Sequence, residues 1–472
     1  MGGWRALGFA LVLVASCGEE EAGSPAPISP VATLVELPKL KVVGSQFRDP
    51  SGRVVFLRGV NFSHRTKSKP YAAWQKPEHF EQIRDWGHNC IRYLLMWDAI
   101  EPEPGQFDEA YLDAVEQHLQ WAAANGIYVL LDMHQDVYGP AFGGDGAPPW
   151  ASVDNLVSPN LALKPWFLNY FTPEVIASFD KLWTDAELQS HFVLAWREVA
   201  KRAKNHSNVV GYDLFNEPFP GSRWPWTFES GELSSLYAKV AAGILEEHAD
   251  AIVFLEPSAF PTNQGIPTSL KPLAGSPWVY APHFYDPLLL TTGSYFGKAY
   301  TDWALGIMKA QAASFAVPLF LGEFGVPRTA PQALEAMRDQ CDTLDATLAA
   351  GWTYWDYNPD LNTNNLIEVD DQSLLDGDQE HPALSALIRP YPRAVAGDPI
   401  SLSFDLAKGV FRLLVKNPLP GQETVVYLPP LHFPSFTVEF PGEWAFDPDT
   451  SALHLSVPSG LTEANLLVRR VP

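Results

Sequence analysis

Two glutamates stand in settings that favour chemistry over packing. Glu217 lies in Asn216-Glu217-Pro218 and Glu323 in Gly322-Glu323-Phe324-Gly325, each at the end of an apolar, strand-like run. A buried charge is costly unless it is used or paired. Two carboxylates facing one cleft suit glycoside hydrolysis: one protonates the leaving oxygen while the other attacks carbon or activates water. The structural alternative is that Glu217 caps the following helix or meets an arginine, and that Glu323 pairs with Arg92. Recurrence favours the chemical reading, because other apolar runs also end in, or carry, polar residues. These are Asn61, Arg92, the stretch Asp132-Met133-His134-Gln135-Asp136, His283-Phe284-Tyr285-Asp286 and Trp355-Asp356-Tyr357.

Asp132, His134, Asp136 and His283 are also of metal-ligand type. A two-glutamate site needs no metal, so none is expected, and the histidines are expected to hold the carboxylates by hydrogen bonds. The chain has no Gly-x-Gly-x-x-Gly or Walker loop, and no Gly-x-Ser-x-Gly elbow at a strand end. No cofactor is expected. Gly143-Gly144-Asp145-Gly146 reads as a turn.

These groups need elements to bring them together. Eight runs read as strands, at 54–62, 88–97, 126–133, 209–216, 251–256, 278–285, 318–324 and 351–357. Several are continuously apolar, as parallel strands buried on both faces are. Helical patterns at 108–124, 187–204, 232–248 and 331–349 lie between them, with Asp108 as an N-cap. Alternation of this kind implies an α/β fold, a TIM (β/α)8 barrel, whose functional groups sit at the carboxyl ends of the strands. Residues 39–52 are expected to form a hairpin closing the barrel floor. After Pro390-Tyr391-Pro392 short β-type runs alternate with Pro/Gly turns, which fits a small all-β sandwich packed on the barrel. The expected organisation is barrel over 39–392 and C-terminal β-sandwich over 393–472.

Composition narrows the partners. Against 32 Lys+Arg stand 55 Asp+Glu, a net charge of −23. Such a balance excludes nucleic acid and electrostatic docking on anionic lipid, and no protein partner is implied. Hydrophobic residues at 46% against 18% charged exclude disorder. Aromatics reach 12%, and many fall outside the strands and helices. The stretch 137–183 holds Trp150, Trp166, Phe167, Tyr170, Phe171 and Phe179, while 219–228 and 287–296 are also apolar. Apolar loops mark interaction surfaces or a satellite core. Aromatic faces suit sugar C–H groups, and a Leu-rich loop suits an alkyl chain.

The N-terminus reads as a targeting segment. Arg5 precedes an apolar run over 6–15, too short to span a bilayer and of signal-peptide length. Val14-Ala15-Ser16-Cys17 resembles a bacterial lipobox, which implies a signal peptide over 1–16, lipidation of Cys17 and a solvated tether over 17–38. The protein is therefore expected to be exported and membrane-anchored, or alternatively secreted. Cys90 and Cys341 are expected to be buried free thiols.

Asn216-Glu217-Pro218 and Gly322-Glu323-Phe324-Gly325 resemble glycoside hydrolase family 5. The stretches Leu131 to Tyr138, Gly143 to Ala151, Tyr212 to Gly221, Asn263 to Pro267 and Arg389 to Gly397 are similar to its endoglycoceramidase branch, across roughly residues 40 to 472. The resemblance implies a retaining hydrolase of the sugar–ceramide bond of glycosphingolipids, with Glu217 as acid/base and Glu323 as nucleophile. It further implies that Asn216 contacts the sugar, that Arg92 and Tyr285 orient Glu323, and that His134 and His283 support them. Trp355 would floor the sugar subsite, Asp132 and Asp136 would bind or brace hydroxyls, and Lys67 would bind sugar. The family equally allows a β-glucosidase or endoglucanase on simple glucosides or polysaccharide. A glycolipid-binding lipoprotein without turnover is the reading outside enzymes.

Overall fold

The computed structural model of the protein describes residues 37–71, 74–153, 163, 165–359 and 371–471. The signal peptide, Cys17 and the tether up to residue 36 lie outside the described residues.

Eight parallel strands form a barrel: Leu57–Phe62, Cys90–Met96, Tyr128–His134, Val209–Asp213, Val253–Leu255, Trp278–Tyr280, Phe320–Leu321 and Gly351–Tyr357. A parallel bridge between Tyr280 and Leu319 closes the ring. Every residue of these strands is buried, which is why they read as largely apolar runs. The four helices expected from sequence fall at Glu109–Ala124, Ala186–Ala203, Ser234–Glu247 and Ala333–Ala346, and further helices include Pro77–Asp85, Pro173–Thr184 and Ala299–Phe315. Asp108 caps the first of these four, accepting from the Tyr111 amide at 2.9 Å.

Three of the expected runs are interrupted, and two of the breaks shape the site. The sixth strand stops before Pro282, which has no N–H for the ladder, and resumes at His283–Phe284. The seventh stops at Gly322 and resumes at Glu323–Phe324. A Cβ at Gly322 would lie 2.8 Å from His283 Nε2. The two resumed segments pair in parallel, with His283 opposite Glu323.

The third break is a change of sheet. Val54 and Val55 pair antiparallel with Val395 and Ala394, and the chain crosses into the barrel at Leu57. The strands Lys41–Val43, Gln46–Arg48 and Val54–Val55 thus extend a seven-stranded sheet with Tyr391–Val395, Glu423–Tyr427, Ala452–Ser456 and Glu443–Asp447. A second sheet holds Asp398–Asp405, Val410–Lys416, Glu463–Arg470 and Phe436–Glu439. Phe404, Phe411, Leu413, Val426, Leu453 and Val468 fill the sandwich between them. The Pro-rich stretch 390–399 is mostly strand rather than linker. Pro392 and Pro399 sit where the pairing shifts register, so the missing amides cost little.

The N-terminal hairpin also seals the barrel. Phe47 packs with Leu57, Leu130, Phe254 and Phe320 as an apolar floor. The sandwich is fixed to the barrel by several buried contacts. Tyr391 donates to the Gly87 carbonyl at 2.9 Å, and Arg389 lies 2.8 Å from both Asp342 and Asp345. Gly87 has φ +87, and a Cβ there would lie 2.1 Å from the Tyr427 ring, so only glycine allows this approach.

Candidate active site

Arg92 lies two residues beyond Cys90 on the second strand, on the same side of it but one layer nearer the strand ends. It is fully buried and gathers partners from five other strands. Nε donates to Asp213 at 2.8 Å, and Nη1 donates to Asn61 at 3.0 Å and to Glu323 Oε1 at 2.7 Å. Nη2 reaches Asn216 at 2.9 Å, Glu256 at 2.8 Å and Asp132 at 2.9 Å. Burial works against its charge, but Asp132, Asp213, Glu256 and Glu323 outweigh it and raise its pKa well above the ordinary value. Every terminus of the guanidinium fork is used, a geometry that lysine could not supply.

Glu217 follows the fourth strand in a left-handed conformation, φ +43, unusual for a residue with a Cβ. Its amide donates to Glu256 Oε2 at 2.8 Å and its carbonyl accepts from Gln135 Nε2 at 3.2 Å. Gln135 also binds the Asn216 carbonyl at 3.0 Å. The turn is therefore held on both flanks by side chains from neighbouring strand ends.

His283 joins the two glutamates. Its Nδ1 lies 3.1 Å from Glu217 Oε1 and 3.5 Å from Glu323 Oε2, and its Nε2 lies 3.2 Å from Glu256. Tyr285 donates to Glu323 Oε2 at 2.8 Å. A ligating atom from each of Glu217, His283 and Glu323 lies within 4.8 Å of the others. This is the short separation of double displacement, in which one carboxylate attacks directly. Inversion needs about 6.5–9.5 Å to seat a water.

Electrostatics divide the two carboxyls. Burial raises the pKa of Glu217, His283 opposes this, and the charge of Glu323 adds to the rise. Burial also pushes Glu323 upward, but the positive charges of His283, Arg92 and His134 win and hold it below the ordinary value. The surroundings thus favour the acid form of Glu217 and the anionic form of Glu323.

On the other side of Glu323, His134 Nδ1 lies 2.7 Å from Asp132 and its Nε2 lies 3.3 Å from Asp136. Burial and Lys67 oppose its protonation, but the two aspartates raise its pKa to about 9. Lys67 pairs with Asp136, lies 3.8 Å from Asp145 and stands 4.6 Å over the Trp355 ring. Burial would raise the pKa of Asp136, but Lys67 and His134 bring it down to about 2. Trp355 stacks on His134 with centroids 5.5 Å apart.

A cavity of about 610 Å³ opens over this network. Lys67, Asp136, Glu217, Tyr285, Glu323 and Trp355 line it. Arg92, Asp132, His134, Asn216 and His283 are buried behind these residues. The rest of the lining is largely apolar, with Trp166, Phe167 and Tyr170 from the loop after the third strand, Phe260 after the fifth, and Leu290 after the sixth. The aromatic loops divide by burial. Tyr170, Phe179 and Phe219 join the main core around the barrel, with ring centroids 5.2–6.1 Å apart, whereas Trp224 and Phe296 are 66% and 74% exposed. Asp286 caps the short helix Pro287–Thr292 that carries Leu290, accepting from the Leu288 amide at 2.9 Å.

Four functional residues were missed from sequence. Asp213 is hidden inside an apolar run. Asn263, which lines the cavity, accepts from the His283 amide at 3.1 Å and keeps its Nδ2 without a hydrogen-bond partner. Gln372 lines the cavity, and its unpartnered Oε1 is buried against Gly325, where any Cβ would meet it at 1.9 Å. Nothing in the sequence marks Gln372. Glu256 is different, because Leu255-Glu256-Pro257 repeats the carboxylate-before-proline pattern of Glu217-Pro218. The criterion that found Glu217 also finds Glu256 when applied to the fifth run.

The profile of Cellulase (glycosyl hydrolase family 5) matches residues 49–361. That of the glycoside hydrolase family 5 C-terminal domain matches residues 389–465. Endoglycoceramidase I of Rhodococcus hoagii is 29% identical over 437 aligned residues, which span 86% of this chain and 82% of that protein. Endo-glycoceramidase II from Rhodococcus sp., solved as a lactosyl-enzyme intermediate, superposes with a TM-score of 0.77 at 32% identity, covering 90% of this chain and 99% of the solved one. Its complex with ganglioside GM3 gives 0.79 at 30% identity, over 91% and 100%. With both of its domains matched and a two-glutamate centre at the strand ends, the chain belongs to glycoside hydrolase family 5.

Proposed function

We propose that the protein is a retaining glycosidase that cleaves the β-glycosidic bond between sugar and ceramide in glycosphingolipids. One observation carries this reading: a single cavity joins Glu217 and Glu323 to an aromatic and aliphatic lining. The sugar needs the polar groups and the ceramide needs the apolar ones. The likeness to endoglycoceramidases over most of the chain supports the same substrate class.

The geometry performs the reaction in two displacements. Glu323, held anionic and aimed by Arg92 and Tyr285, attacks the anomeric carbon as Glu217 protonates the departing ceramide oxygen. Once Glu323 is esterified its charge is gone, and with it one of the influences that keep Glu217 protonated. Glu217 then takes the proton of the water that cleaves the glycosyl-enzyme. Rates on a glycosylceramide and on a cello-oligosaccharide test the substrate class. Preference for the ceramide substrate is the expected result, and preference for the oligosaccharide would replace it with a simple glucosidase or endoglucanase.

The protein is further proposed to be an exported lipoprotein, anchored through Cys17. The apolar run over 6–15 and the lipobox-like Val14-Ala15-Ser16-Cys17 support this. Attachment would come from lipid rather than charge, because the chain is strongly acidic. Cys17→Ala should release the protein from membranes; unchanged retention would refute the anchor.

A further inference from the structure

Glu256 follows the fifth barrel strand, is fully buried and forms no part of the cavity lining. Its two carboxylate oxygens nevertheless divide between the two halves of the site. Oε2 accepts from the Glu217 amide at 2.8 Å. Oε1 accepts from Arg92 Nη2 at 2.8 Å and lies 3.2 Å from His283 Nε2. Those two cations are the ones that face Glu323, at 2.7 Å and 3.5 Å. The Glu256 carbonyl accepts from Tyr237 at 2.9 Å, which fixes the backbone as well.

We infer that Glu256 is a positioning residue for both catalytic carboxylates, holding the strained backbone of Glu217 with one oxygen and the two cations that orient Glu323 with the other. The inference rests on the glycosidase reading above. A left-handed conformation at a residue with a Cβ is strained and persists only when its surroundings enforce it. The amide of Glu217 finds that support in Glu256 Oε2. Two N–H donors, the Glu217 amide and Arg92, bond to the Glu256 carboxylate, and His283 Nε2 approaches it at 3.2 Å. A carboxylate accepts on both oxygens and carries charge, whereas a glutamine turns its NH2 against one side and, being neutral, weakens the hold on the other as well. Aspartate keeps the charge but, one methylene shorter, cannot span both sides. A misplacement of about 1 Å in either catalytic group costs about 10²-fold in rate.

The test separates the two halves. Covalent trapping by a 2-fluoro glycoside with an activated leaving group needs Glu323 but little help from an acid. Turnover of a glycosylceramide, with its poor leaving group, needs Glu217 as well. Glu256→Gln is expected to slow both by about 10²-fold, with KM for the glycosylceramide nearly unchanged and circular dichroism of the folded protein retained. Loss of only one of the two rates, or a rise in KM with kcat intact, would overturn the shared role. Should Glu256→Gln not fold, Glu256→Asp decides. A fall in kcat at constant KM supports the inference, and unchanged kcat overturns it. Wild-type protein that neither traps nor turns over any β-glycoside would count against the glycosidase reading itself and not against Glu256.

Discussion

The same eight strands end in two opposite environments. At the floor, Cys90, Leu130, Phe254 and Phe320 pack around Phe47 with no ionic group among them. At the rim, Arg92, His283, Asp132, Asp213, Glu256 and Glu323 crowd together, all nearly or fully buried. Cys90 and Arg92 belong to these two layers and are separated by a single residue. Burial is therefore not what distinguishes the ends. The floor gains from removing apolar surface from water. The rim spends part of that gain to hold charges whose positions matter only for chemistry.

Substitutions at the two ends should separate activity from stability. The largest effect belongs to the rim. Glu323→Gln and Glu217→Gln should each lower glycosylceramide turnover by about 10⁴-fold or more, with melting temperature close to wild type. At the floor the pattern should invert. Phe47→Ala should cost about 3–5 kcal/mol in denaturant unfolding and leave kcat per folded molecule intact. A large loss of kcat there would mean that the ends are coupled. Tyr285→Phe, which removes a donor to Glu323, should lower kcat by about 10-fold to 10²-fold and move the acid limb of the pH profile upward.

That profile follows from the opposed shifts of the two carboxyls. Activity requires Glu217 protonated and Glu323 ionised. It should fall at low pH as Glu323 gains a proton and at high pH as Glu217 loses one. Because Glu323 is pushed down and Glu217 up, the plateau lies between them. The smallest effect is expected at the thiols. Cys90 and Cys341 are free and buried, and burial pushes Cys341 up to about 12. Neither should react with a thiol reagent in folded protein at neutral pH. Rapid labelling would mean that the core opens.

The barrel strands were legible because both of their faces are buried, so several are continuous apolar runs and the rest are mostly apolar. The glutamates were legible because polar residues cluster where those runs end. Three features were not. Val54 and Val55 look like the start of a barrel strand, but they pair with Phe47 and Arg48 on one side and, on the other, with Ala394 and Val395 over three hundred residues away. The edge strand Glu443–Asp447 buries none of its residues fully and so carries no alternation. The strand Asp398–Asp405 is obscured by Pro399 at a register shift. At the site the residues named from sequence do come together, in two shells around Glu323. Gln372 stayed invisible because its place is set by folding back over Gly325. Sequence also could not divide the aromatic loops, since Tyr170 and Trp224 look alike until burial separates them.

A two-step displacement at the sugar–ceramide bond fixes the anomer of the first sugar released. Proton NMR of a glycosylceramide digest, followed from the first minutes, reads both parts at once. Release of ceramide with the free sugar appearing first as its β-anomer is the predicted result. An α-anomer appearing first, or sugar released from elsewhere in the glycan with the ceramide linkage intact, would contradict it.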